Sequence, residues 1–305
     1  MRPAASLILF TVLSGLGLGL VFWTGLGTGP ETRAFAGLAG SMALLLAGAG
    51  GAASVLHLAR PDRGWRAFRE WRTSWLSREA WLMVATLGVF AVFAGLWAVA
   101  GLRLWGLGAL AAAGALATVH ATAMIYAQLR TVPRWHRAPT PQLFLALALA
   151  GGLLAHEALA ALASGGAAPG AAALALALSA GVAMWWQTSA SGARRGTGGE
   201  TLESATALTG RGRVRAFEAP HTARNYLLDE MAHVVGRRRA WQLRWIGAGA
   251  GFLLPLALCL AAWAAWDWLL VPALASHAVG VMALRWLFFA EAEHVQALYY
   301  GARAL

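Results

Sequence analysis

Three groups of ionisable residues in this 305-residue chain have types and spacings suited to moving protons or electrons. His57 and Glu79 flank a stretch rich in arginine and tryptophan, and they lie at a similar depth if the segments around them are membrane helices. An imidazole and a carboxylate at one level can exchange protons with a quinone headgroup, whose reduction takes two electrons and two protons. The plainer account makes His57 an interfacial residue and Glu79 an N-terminal helix charge favoured by the dipole. The second group closes the last apolar run: Arg285 with Glu291 or Glu293, and with His294, could form a buried polar cluster, either a structural ion pair or part of a proton path. The third is Glu157 beside His156 inside an apolar run. A carboxylate is costly there, which makes it a candidate for the same proton traffic.

The stretch 60–72 (RPDRGWRAFREWR) has arginine at every third position, with Trp65, Phe68 and Trp71 interleaved. That pattern predicts an amphipathic helix lying in the membrane interface. Arg60, Arg66 and Trp71 are then placed to roof a quinone site, or simply to anchor lipid headgroups. Metal chemistry finds little support. The single cysteine, Cys259, cannot hold an iron–sulfur cluster, which takes about four ligands. His120, His156 and His277 sit in apolar runs, but bis-histidine haem ligation needs two at matching depth on facing helices. His156 and His277 could share one half of the membrane while His120 lies in the other; one such pair is weak support, and no haem is expected. No phosphate loop, zinc signature, nucleophile motif or dinucleotide fingerprint is present. A metal redox centre would therefore use histidine or belong to a partner.

The elements that must hold these residues follow from composition. Hydrophobic residues make up 59%, charged residues only 12%, and the mean hydropathy is +0.59. Soluble domains carry roughly 25% charged residues, whereas a spanning helix needs about 20 apolar residues in a row. Eight such runs stand at 6–25, 35–58, 80–101, 105–129, 142–163, 171–188, 245–266 and 269–289. The first could imitate a signal peptide, but it continues through Phe22 and Trp23 and reads as a span. The predicted fold is an all-α membrane bundle, a single polytopic domain over 1–305. Glycine and alanine allow close packing, and tryptophan at span ends suits an interfacial belt. An extended loop covers about 189–244, with a helix predicted over 222–239. No repeat of fixed period occurs. Pro255 and Pro272 hint at kinks, without the paired pattern expected of a transporter.

Net charge is +11, and all 24 cations are arginine. Nucleic-acid binding is not expected, because the short loops leave no groove-reading element. With eight spans, six arginines fall in 60–78, three in 130–137 and ten in 194–244, on the same side as Arg2 and Arg303. The opposite side holds only Arg33 and Arg103. Cytoplasmic loops collect arginine, so both termini and all three basic loops are expected in the cytoplasm.

Five stretches spread along the chain carry a family resemblance: 3–15 (PAASLILFTVLSG), 57–79 (HLARPDRGWRAFREWRTSWLSRE), 122–135 (TAMIYAQLRTVPRW), 222–231 (TARNYLLDEM) and 285–300 (RWLFFAEAEHVQALYY). With these the chain resembles the membrane anchor subunits of dimethyl sulfoxide reductase, and more closely the branch in quinone-linked cytoplasmic sulfite dehydrogenases. The resemblance implies a three-subunit complex in a bacterial inner membrane. A molybdopterin subunit does the sulfur chemistry, and a ferredoxin-like subunit with four iron–sulfur clusters carries electrons to the anchor. The anchor provides the quinone site (ubiquinone or menaquinone), usually without haem. It implies a site role for the histidine after the second span and the glutamate opening the third, here His57 and Glu79. The arginine-rich side bears both residues, which agrees with sulfite oxidation in the cytoplasm. An anchor that oxidises quinol for a dimethyl sulfoxide or other S- or N-oxide reductase is the alternative, and a passive scaffold a second.

Overall fold

A computed structural model describes residues 5–56, 61–164, 166–193, 202–215, 217–218, 239–292 and 294–295. Among them are eight helices long and apolar enough to cross a membrane, and no strand. They are α1 (Ala5–Gly25), α2 (Arg33–Val55), α3 (Trp75–Ala100), α4 (Trp105–Ala127), α5 (Pro139–Ser164), α6 (Pro169–Ala193), α7 (Ala240–Ala264) and α8 (Leu270–Ala290). The chain is a multi-pass membrane protein. The helix predicted over 222–239 lies outside the described residues, apart from Arg239.

Several helices overrun the apolar runs that announced them at the arginine-rich end, although α2 and α4 stop two or three residues short of theirs there. α3 begins at Trp75 rather than at 80, α6 continues to Ala193, and α7 starts at Ala240. Backbone hydrogen bonding does not stop where hydrocarbon stops, and residues such as Leu76, Ser77 and Arg78 continue a helix into the interface at little cost. The connector between α6 and α7 is correspondingly shorter than the predicted loop.

α5 and α1 form the centre. Of the spans α5 is the most enclosed, with 83% of its most apolar stretch buried. α1 packs on α2, α4 and α5 through positions without side chains. A Cβ on Gly152 of α5 would collide with the backbone of Gly19, and one on Gly25 with the carbonyl of Gly108 in α4. Lipid tails are as apolar as leucine, so such close backbone contact holds membrane helices together where a hydrophobic driving force cannot.

At the arginine-poor end the two connecting loops are tied crosswise. Arg33, opening α2, donates to the carbonyl of Ala100 at the end of α3 (3.2 Å). Arg103, before α4, donates to the Gly27 carbonyl after α1 and lies between the rings of Trp97 and Trp105, 4.5 and 4.4 Å from their centroids. Gly27 and Gly101 take positive φ (71° and 73°) at these turns, a conformation costly for other residues. A π turn over Gly249–Leu253 interrupts α7. α8 supports it: Ser276 Oγ donates to the Ala250 carbonyl (2.8 Å) and His277 Nδ1 to the Gly251 carbonyl (2.7 Å).

Candidate functional site

Four helices meet at the arginine-rich end around a cavity of about 470 Å³. Its walls include Phe10 of α1, Ser54 and Val55 of α2, Glu79 and Met83 of α3, and Tyr126 of α4. A 3-10 turn, Pro61–Phe68, roofs it through Gly64, Ala67 and Phe68. The roof is 3-10 where an amphipathic helix was expected. The start of α3 holds the roof. Trp81 Nε1 donates to the Phe68 carbonyl (3.0 Å) with its ring edge-on to Phe68, and Arg78 reaches the carbonyls of Trp71 (3.0 Å) and Arg72 (2.6 Å). Arg66 and Trp71 are exposed and do not line the cavity. Arginine and tryptophan side chains stack on its exposed side instead, Arg69 over Trp65 (4.4 Å) and Arg72 over Trp71 (5.4 Å). His57 and Arg60 lie outside the described residues; the chain lines the cavity as far as Val55, two positions before His57.

Glu79 is buried, only 5% exposed. Because α3 begins at Trp75, Glu79 stands a full turn inside it, beyond the free N–H groups of the helix start. The dipole account therefore loses ground to a specific contact: the Thr122 hydroxyl meets the carboxyl group of Glu79. That hydroxyl also lies 3.0 Å from the Thr118 carbonyl. One hydroxyl hydrogen cannot serve two acceptors, and a proton on Glu79 would let both hydrogen bonds form. Thr118 in turn lies 3.4 Å from Thr86 of α3, so a short polar file runs from Glu79 down the α3–α4 seam. Tyr126, one turn beyond Thr122, has its ring on Phe144 (5.6 Å) and edge-on to Phe288 and Phe289. Both Glu79 and Arg285 lie within electrostatic reach of its hydroxyl.

Thr122 and Tyr126 were missed as candidates. Thr118, Thr122 and Tyr126 recur every four residues, one face of an otherwise alanine-rich helix, and that stripe was the available signal.

The other candidates separate. Arg285 does not pair with Glu291. Its guanidinium lies 3.6 Å from the Phe144 centroid, and its Nε and Nη1 are buried without a hydrogen-bond partner among the described residues. Glu291, 2% exposed, is bracketed instead by Arg134 from the α4–α5 loop and Arg244 from α7, one on each oxygen. His294 follows at the same end, where partial burial pushes its imidazole pKa below the ordinary value. Glu293 lies outside the described residues.

His156 and Glu157 sit at the other end of the bundle. His156 Nδ1 lies 3.0 Å from Glu157 and Nε2 2.8 Å from the Thr28 carbonyl. Glu157 also accepts from the Ala168 backbone N–H (2.6 Å) and borders a second cavity of about 660 Å³. Both ring nitrogens of His156 are thus engaged, and they tie Glu157 to the loop after α1. His277 is spent on the π turn, and exposed His120 lies edge-on to Trp75 (6.1 Å). Among the described residues no three His, Cys, Asp or Glu side chains gather as a metal site.

Comparison with known proteins follows the same lines. The family model described as DMSO reductase anchor subunit (DmsC) matches residues 1–301. A curated relative, the C subunit of the sulfite dehydrogenase of Allochromatium vinosum, is 37% identical over 180 residues, covering 50% of this chain and 54% of the relative. The chain thus spans about half the length of the curated relative it matches.

Proposed function

The chain belongs to the DMSO reductase anchor subunit family, and on that premise we propose that it takes electrons from an iron–sulfur partner and reduces quinone at the cavity beside Glu79. The observation that carries this reading is a buried carboxyl group in the wall of an otherwise apolar cavity at the arginine-rich end. Pockets for small ligands measure roughly 300–1,000 Å³ and place a few polar groups among apolar walls. Apolar walls suit a quinone ring and the start of its isoprenoid tail. Glu79 delivers a proton to one quinone oxygen, and Tyr126, which borders the cavity, supplies a hydroxyl to hydrogen-bond the ring. Two electrons and two protons complete the quinol, and His57 is the expected second proton donor. Arg60, Arg66 and Trp71 then act on the roof and its lipid surroundings. Glu157, Glu291, Glu293 and His294 remain candidates for proton traffic beyond the site.

The arginine asymmetry supports a cytoplasmic roof, with both termini on the same side of a bacterial inner membrane. A molybdopterin subunit would oxidise sulfite there to sulfate, passing electrons through the four-cluster iron–sulfur subunit. The name of the Allochromatium relative favours sulfite, and the family description favours the reverse traffic, quinol oxidation for dimethyl sulfoxide reduction. Sulfite-dependent quinone reduction by the purified complex decides between them. Glu79→Gln should slow it roughly 100-fold, the low end for loss of a general acid, and His57→Ala should act in the same direction. Unchanged rates in both variants of an intact complex would remove the site from this cavity. Quinol oxidation with dimethyl sulfoxide, and no activity with sulfite, would assign the chain to the reductase branch.

A further inference from the structure

α6 and α7 touch along only half their length. Toward the arginine-poor end Ala172, Ala173 and Leu176 of α6 pack with Cys259 and Ala262 of α7 in one buried cluster. Past the π turn at Gly249–Leu253 the two helices part, and a wedge of about 710 Å³ opens toward the arginine-rich end. On α6 it is lined by residues 180, 183, 184, 187 and 188, one face of the helix at three- and four-residue spacing. The opposite wall is Ala248, Phe252 and Leu253, with Leu284 of α8 at the back. From Ala180 to Thr188 along α6, and from Arg244 to Leu253 along α7, the rise is about 12–14 Å at 1.5 Å per residue, close to half of the roughly 30 Å hydrocarbon thickness.

Arg244 stands at the mouth of the wedge with its side chain 44% exposed. One of its nitrogens meets Glu291; a guanidinium has five N–H donors in a fork that matches phosphate oxygens. Trp185, Trp241 and Trp245 surround this level with 48%, 60% and 67% of their surface exposed, which marks the headgroup layer. Gln187 and Thr188 border the mouth from α6.

We propose that this wedge is a binding site for one anionic phospholipid, with an acyl chain between α6 and α7 and its phosphate on Arg244. The depth of one leaflet fits an acyl chain held upright, and the half-exposed guanidinium of Arg244 at the mouth fits its phosphate. Basic pockets between membrane helices bind anionic headgroups by this logic. The inference does not depend on the quinone reading.

The test takes the full-length protein, with whatever subunits it retains, in a neutral detergent after lipid removal. Phosphatidylglycerol and phosphatidylcholine are titrated in turn, and bound lipids are counted by native mass spectrometry. One phosphatidylglycerol should bind in preference to phosphatidylcholine. Arg244→Gln should weaken it roughly five- to tenfold, as for one cation at the membrane surface, and erase the preference. Ala183→Phe, which fills the wedge and leaves Arg244 in place, should weaken both lipids. Equal binding of the two lipids by the wild type would overturn the proposal, as would a preference that survives both variants. Recovery of an isoprenoid quinone from the wedge, displaced by Ala183→Phe, would overturn it in favour of a different occupant. Should one variant fail to fold, the other still decides.

Discussion

At the scale of single residues, the Glu79 site turns on hydroxyl hydrogens. Thr122 has one hydrogen and two acceptor neighbours, so it holds Glu79 best when Glu79 carries a proton. Thr122→Val should therefore lower quinone turnover by less than Glu79→Gln, since it removes a support and leaves the acid. Tyr126 separates ring from hydroxyl. Tyr126→Phe keeps the stacking on Phe144 and should raise the quinone KM several-fold with little change in stability, as for loss of one hydrogen bond worth about 0.5–1.5 kcal/mol. Tyr126→Ala should cost about 3–5 kcal/mol by emptying the aromatic cluster, read as a lower melting temperature of the detergent-solubilised protein. Glu79 was legible in the sequence because a carboxylate at an apolar boundary stands out. Thr122 and Tyr126 were not, because threonine and tyrosine are ordinary in a membrane helix until a neighbouring helix shows which way they face. The partners of Glu291 were hidden for a related reason: Arg134 and Arg244 lie 157 and 47 positions away along the chain, and nothing local in the sequence singles them out over Arg285.

At the scale of elements, the number of spans was plain from hydropathy, and their ends were not. Hydropathy reports where hydrocarbon ends, while the helix ends where its hydrogen bonds do. The difference mattered at α3, where five added residues carry Glu79 from the helix start into the interior and let Arg78 and Trp81 grip the roof. The roof shows the same limit. Arginine at every third position suits the three-residue turn of a 3-10 helix as well as an amphipathic α-helix, and spacing alone did not choose. The π turn of α7 was likewise unannounced, although Gly247, Gly249, Gly251 and Pro255 cluster there. Its support from α8 is measurable. Ser276→Ala should cost about 0.6 kcal/mol, the average for a hydrogen bond between membrane helices. Gly152→Leu should prevent α1 and α5 from closing, and the protein should elute as an aggregate rather than a discrete species in size-exclusion chromatography.

At the scale of the whole molecule, the two membrane faces are built on different principles. The arginine-rich face carries most of its charge on exposed side chains, whereas both arginines of the other face tie loops together, Arg103 nearly buried and Arg33 exposed. Glu31 contributes little to Arg103, since its carboxylate is 80% exposed and such pairs are worth about 0–1 kcal/mol. The Gly27 carbonyl and the two tryptophan rings do more. Arg103→Ala should accordingly destabilise the chain by about 1–3 kcal/mol, and Glu31→Ala should be near neutral in the same melting measurement. Orientation has its own test. A reporter that fluoresces only in the cytoplasm, fused after residue 305, should light up, and a periplasmic phosphatase at the same place should stay inactive. Arg285 carries a last consequence, for biosynthesis. A lone arginine within a nascent span is costly on insertion, and α8 follows the other seven spans along the chain. When it leaves the translocon, Tyr126 and Phe144 have already been delivered by α4 and α5, so the arginine is released toward waiting aromatic rings. The order of the helices along the gene thus serves as an assembly schedule, and a circular permutant that synthesises α8 first would have to insert that charge with nothing prepared to receive it.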